Sequence, residues 1–330
     1  MLKTEIAELM NKGSVMYDVA QKVDYKLNLS TEEKEIAEVC DAWAKDIGER
    51  AVDNDHEIAA YIKRTVTEEV YNAPDELLDR MFDRGTVGEF DDTETQKDTK
   101  NTLIAYEAAK GGNVDKSWID FSALKPTWKN RQVETDISYV DLRKNGFKSI
   151  AKLTTFGKEA LYNALFYDVF GAVDAAITGG DQKIDVTGAL PTITAMDALE
   201  LYLTERDQNA AAVCLTKYAQ AIGRMDGYHQ YMSDAMKDNF NRYGLVENFG
   251  RMGIASIASA HKQGNGDLLI PDKRIFGFAG KIGTLDMKGD LHVYETLDNN
   301  KEAVNIKIAD FTYGYAISNI ENVAKIVFAQ

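Results

Sequence analysis

Apolar positions recur every three or four residues through the first part of the chain. Ile36, Val39, Trp43 and Ile47 follow Ser30-Thr31-Glu32-Glu33. That S-x-x-E spacing is a capping box: the serine hydroxyl serves an amide of the first turn and the glutamate reaches back. It predicts a helix that Gly48 is placed to stop. Ile58, Ile62, Val66 and Val70 predict a second helix, ended by Asn72-Ala73-Pro74, since proline disfavours helix in the residue before it. Pro74 then opens a short helix carrying Leu77, Leu78, Met81 and Phe82, with Gly85 as its close. All three have narrow apolar stripes and acidic opposite faces, a pattern that needs a larger body to lie against.

Periodicity fades over 85–130, where Gly85, Gly88, Gly111 and Gly112 punctuate the chain. The turn-like Lys110-Gly111-Gly112-Asn113 makes this stretch a long hairpin; the rival is a helix from Thr99 to Ala109. Val133, Thr135, Ile137 and Tyr139 alternate with polar residues, as in a half-exposed strand, and Asn145-Gly146 marks a turn. The longest helix is expected over about 155–178, with Leu161, Leu165, Val169, Ala172 and Ala176 on one face and Gly179-Gly180 as its stop.

Mixed α/β follows. Thr194–Thr204 reads as a helix and the wholly apolar Ala210–Leu215 as a central strand. Helices are expected over about 216–224 and 228–242, and a strand over Gly253–Ala260. Beyond Pro271 the pattern is β: Leu291–Leu297 and Ala303–Thr312 flank the turn Asp298-Asn299-Asn300, and Val323–Phe328 is a last strand.

Composition adds one asymmetry. The 330 residues carry a net charge of −15, but the first hundred alone hold 13 basic and 25 acidic side chains. The segment 110–158 is the reverse, with ten basic residues against five acidic. So acidic a chain does not grip nucleic acid through a broad basic face. The two segments are either solvated faces of opposite sign or complementary surfaces, the acidic arm of one copy meeting the basic segment of another. On the second reading the contact candidates are Glu32, Glu35 and Glu38 on the arm. Their counterparts are Lys110, Lys116, Trp118, Lys125, Trp128, Lys129 and Arg131.

Catalytic and metal motifs fail. Gly277-Phe278-Ala279-Gly280-Lys281-Ile282-Gly283 lacks the spacing and the Ser/Thr of a phosphate loop, and reads as a turn where backbones pass closely. His56-Glu57 has Ala60 where a zinc helix needs histidine. The four histidines have no ligand spacing, and Cys40 and Cys214 read as buried reduced thiols. No catalytic residue, cofactor or metal site is assigned. No run of about 18 apolar residues is present, so no membrane span is expected.

The order of elements resembles the major capsid protein of tailed double-stranded-DNA bacteriophages, the Hong Kong 97 type fold that encapsulin shells share. The resemblance spans roughly 60–330. It rests on Gln132–Leu142 running into Gly157–Thr178, on Asn248-Phe249-Gly250-Arg251-Met252-Gly253-Ile254, on Leu268-Leu269-Ile270-Pro271 through Gly277, and on Asn305–Gly314 with Val323–Phe328. It implies an α+β fold. The parts would be a helical acidic arm (1–84), an extended hairpin loop (85–130), a peripheral domain with the spine helix (131–184 and 286–330) and an axial α/β domain (185–285). It also implies self-assembly through pentamers and hexamers into an icosahedral shell enclosing phage DNA, built in the bacterial host cytoplasm, with portal, scaffold and decoration proteins as further partners. The alternatives are an encapsulin-like compartment and a cytoplasmic α/β enzyme with a carboxylate site that carries no motif.

Overall fold

The structure, a computed structural model, describes residues 15–50, 57–67, 75–91, 93–96, 123–225, 246–298 and 300–329, with isolated positions between. It is α+β and forms two compact units: residues 1–74, 129–165 and 287–312, and residues 75–128, 166–286 and 313–330.

The first unit begins with α1 (Val15–Asp24), α2 (Thr31–Arg50) and α3 (Glu57–Val66). The capping box forms as expected: the Glu33 amide donates to Ser30 Oγ at 3.2 Å and the Ser30 amide to Glu33 Oε2 at 2.8 Å. The helix does not stop at Gly48, because that glycine has another task. A Cβ there would sit 3.0 Å from Arg143 and 3.2 Å from Leu142, so Gly48 is where α2 meets α5 (Tyr139–Asn145). Trp43, fully buried, packs with Tyr61 of α3 and with Phe147, at ring separations of 6.1 Å each. Its indole donates to Glu57 Oε2 at 2.6 Å. The larger body demanded by the apolar stripes includes β11 (His292–Asp298), whose buried Glu295 accepts the Ala59 amide in the first turn of α3 at 3.0 Å.

Strand β4 (Thr127–Ser138) ends where Ser138 caps α5, its hydroxyl accepting the Val140 amide at 3.1 Å. Tyr139 is therefore the first residue of a helix rather than the last of a strand. Gly146 follows with φ +57°, and Asp41 of α2 accepts the Phe147 amide at 2.9 Å. There α6 (Phe147–Ala176) starts, eight residues before the expected position. The two threonines at 154 and 155 do not mark its start. Instead Thr154 is buried inside the helix, its hydroxyl bonded to the Ile150 carbonyl at 2.9 Å, which removes the cost of burying it. β11 pairs antiparallel with β12 (Ala303–Ile317), Asp298 opposite Ala303, around the expected turn, and β4 also pairs with β12.

In the second unit α4 (Glu76–Met81) is capped by Asp75, which accepts the Leu78 amide at 2.7 Å. Gly85 does not close this helix; it lies inside β1 (Phe82–Val87), and its open Cα face leaves room for the Asp286 carboxylate, 2.6 Å from where a Cβ would be. β1, β10 (Gly283–Lys288) and β12 are neighbours in that order, and Gly283 is forced: a Cβ would fall 1.8 Å from the Ala316 carbonyl oxygen. Short strands β2 (Thr95–Gln96) and β3 (Ala123–Leu124) pair antiparallel. The rest of the expected hairpin, and its rival helix, fall almost wholly outside the described residues.

The second sheet has six strands in the order β5 (Lys183–Val186), β13 (Val323–Phe328), β9 (Arg274–Phe278), β6 (Ala211–Leu215), β8 (Met252–Ile257) and β7 (Asn248–Phe249). Every residue of β6 is buried, as its continuous apolar run requires. Helices α7 (Ile193–Thr204) and α8 (Thr216–Gly223) cover the sheet. Residues 228–242 lie largely outside the described residues.

One ionic cluster ties the end of α6 to this sheet. Asp174 Oδ1 accepts from Lys325 Nζ of β13 at 2.7 Å and from Arg274 Nε of β9 at 3.2 Å, and the Lys325 side chain is only 7% exposed. Asp174→Asn leaves two cations around a neutral amide and is expected to cost about 3 kcal/mol, whereas Lys325→Met keeps the Asp174–Arg274 pair and should cost less. Denaturant midpoints of the two variants measure the difference; equal losses would assign the cluster to packing instead.

Candidate intersubunit surfaces

Glu32, Glu35 and Glu38 all lie exposed on α2, spaced by three and so on one side of the helix. Glu33, one residue from this row, turns inward to Lys22 of α1. That hydrogen bond, followed by the Ser30 amide, holds its carboxyl below the usual carboxylate range. The acidic row is thus rigidly placed by a cap that consumes a fourth glutamate.

Among the basic candidates, Lys125 is exposed between β3 and β4, Lys129 is exposed on β4, and Arg131 is half-buried. Trp128 is half-buried, its ring lying where a Cβ on Gly314 would be, at 2.6 Å. Trp128 is therefore spent on packing within its own unit, which lowers its value as a contact residue. Lys110, Lys116 and Trp118 lie outside the described residues. The acids interleaved on β4 are engaged from within their own unit. Asn305 Nδ2 donates to Asp136 at 2.7 Å and Glu134 at 3.1 Å, and Lys301 Nζ reaches Asp136 at 3.0 Å. These two partners, Asn305 first, pull the Asp136 carboxyl below its usual range. Lys301 thus balances the charge of Asp136, whereas Glu134, bonded to a neutral amide, keeps its own.

An apolar groove in the first unit leaves no mark on the residue pattern. Val133 and Ile137 of β4, Leu153 and Phe156 of α6, and Ile306 and Ile308 of β12 line an open space of about 410 Å³. Helix and strand come together at its floor because α6 has Gly157 there; a Cβ would press within 2.9 Å of Ile308. Phe156 is 56% exposed. Its residues each carry an ordinary apolar signal; only their convergence around unfilled space distinguishes them.

The glycine-rich stretch at 277–283 holds no anion site. Lys281 Nζ donates to the Phe82 carbonyl at 2.7 Å and to that of Asp79, closing the end of α4. No group of three or more His, Cys, Asp or Glu among the described residues could hold a metal ion, and no described helix is long and apolar enough to cross a membrane.

No family model matches the chain, and no curated protein matches it. Solved structures do. The capsid structure of cyanophage P-SCSP1u matches with TM-score 0.54 at 10% identity, over 77% of this chain and 88% of that one. This is the fold of a capsid subunit. The capsid of an empty GTA particle matches with TM-score 0.55 at 14% identity, over 77% and 89% of the two chains. A chain from Gordonia phage Cozz matches with TM-score 0.56 at 11% identity, over 78% and 87%. The capsid-subunit fold is therefore retained here at identities where side-chain agreement has almost vanished, and the α+β expectation drawn from element order holds.

Cys40 on α2 and Cys214 on β6 are both buried, and burial pushes each thiol up to about 12. A raised pKa keeps the thiol protonated at all lower pH, so neither forms appreciable nucleophilic thiolate near neutrality. Native protein at pH 8 is expected to resist maleimide labelling and to take up two equivalents after denaturation; rapid native labelling of either would contradict the burial.

Proposed function

We propose that this chain is the major capsid protein of a tailed bacteriophage, assembling through pentamers and hexamers into an icosahedral shell around double-stranded DNA. The observation that carries the proposal is the capsid-subunit fold, matched over more than three quarters of this chain and nearly nine tenths of the cyanophage capsid chain. Its role is structural: many modest contacts, repeated on every copy, make a stable closed surface. The six-stranded α/β unit fits an axial domain clustering around the five-fold and six-fold axes. The unit with α1, α2 and α3 fits the outer, peripheral part. Acidity supports a lining that encloses DNA without gripping it, since few basic groups are offered to neutralise phosphate.

The acidic row of α2 and the basic residues around β4 support pairing between copies. Such pairing sets approach and register and is screened over about 8 Å at physiological salt. Portal, scaffold and decoration proteins are the further partners this role calls for, and the host cytoplasm is the place of assembly.

Negative-stain microscopy of the purified full chain is expected to show closed shells, and nuclease-protected DNA in shells from infected cells distinguishes a capsid from a cargo compartment. Small uniform oligomers under all conditions would reject the proposal. Replacing residues 97–122, between β2 and β3, by a short linker should leave both units folded by circular dichroism and abolish shells; shells from the shortened chain would show that this stretch does not bridge copies. Reversing Lys110, Lys116, Lys125 and Lys129 to Glu should reduce assembly yield most at low salt, whereas yield unchanged at every ionic strength would reject the charge pairing.

A further inference from the structure

Phe90 is 92% exposed, the most exposed large apolar side chain among the described residues. It stands at the corner of a turn closed by the Asp91 amide on the Gly88 carbonyl at 3.1 Å, immediately after β1. Glu89 and Asp91 flank it, both exposed. An aromatic ring held out on a hydrogen-bonded turn is costly to leave in water and presents a fixed shape. With almost all of its surface in solvent, it is not seated in any groove of its own chain.

The groove between β4, α6 and β12 has the converse properties. It is apolar, open and about 410 Å³ in volume, room enough for one aromatic side chain with its neighbouring backbone. Lys152 stands on its lip, 5.7 Å from the Phe156 ring centroid. Lys148, one turn earlier on α6, extends this basic edge, while Asp136 on another lip is already engaged by Lys301 and Asn305. Asp141 makes the remaining lip acidic.

We infer that Phe90 of one copy seats in this groove of a second copy, with Glu89 and Asp91 turned toward Lys152 and away from Asp141. The inference rests on the assembly reading and gives it one specific contact. The two halves match in three respects: an exposed aromatic meets unfilled apolar space, an acidic flank meets the basic lip at Lys152, and the acidic side at Asp141 fixes the direction of entry. Aromatic anchors entering pockets of this kind dominate the energetics of interfaces.

Two single variants of the full chain test it. Glu89→Cys places a thiol beside the ring and Ser149→Cys places one on the groove wall; the native cysteines are buried and do not interfere. The variants are mixed under assembly conditions, oxidised with diamide, and read by non-reducing gel and microscopy together. A covalent dimer formed only in the mixture, and reduced about tenfold when Phe90→Ala is added to the Glu89→Cys chain, is the expected result. Shells without that dimer, or a dimer unaffected by Phe90→Ala, overturn this seating and leave the assembly reading standing. Absence of both shells and dimer overturns the two together.

Discussion

Asp41 accepts the first amide of α6, and the architecture of the N-terminal third depends on that one carboxylate. A long helix begins with amides that have no internal partner, and its positive end favours an anion. Here the anion comes from α2, more than a hundred residues earlier in the chain. Gly146 is required at the same place: its φ of +57° turns the chain, and a Cβ would occupy the position of the Asp41 carboxylate, at 2.3 Å. Once α2 is docked on the start of α6, Trp43 meets Phe147, Tyr61 closes on both, and α3 is held against β11 by Glu295. The N-terminal helices are thereby part of a folded unit, and their acidic outer row inherits the rigidity of the longest helix.

Much of this was legible where the determinants are local. The capping box at Ser30 and Glu33, the buried run of β6, the turn after Asp298 and the final strand each depend on residues a few positions apart. The expectations that failed share a different cause. Gly48 and Gly85 stand where a helix stop is expected, yet one admits α5 and the other leaves room for the Asp286 side chain. Glycine signals an absence of side chain, and whether a turn or a distant neighbour needs that absence is decided by tertiary contacts. The start of α6 lies eight residues before the expected position for the same reason, because its first amide finds its acceptor in Asp41, far away in the chain.

The candidate contact residues were legible only as charge. Glu32, Glu35 and Glu38 share one exposed side of α2, and Lys125, Lys129 and Arg131 lie on or beside β4, while Lys110, Lys116 and Trp118 fall outside the described residues. Trp128 shows the weakness of reading surfaces from composition, since its ring is engaged with Gly314. Neither the groove nor the exposed Phe90 could be read from the sequence, because emptiness and exposure are properties of the packed chain rather than of any residue.

Each of the two thiols is sealed from whatever medium surrounds the protein. Cys40 and Cys214 sit in different units, each enclosed by its own core and kept protonated. A change from reducing to oxidising surroundings therefore meets no accessible thiolate at either position. Neither thiol can join one copy to another while the units stay folded, so the redox state of the surroundings leaves any contact between copies untouched at these two positions.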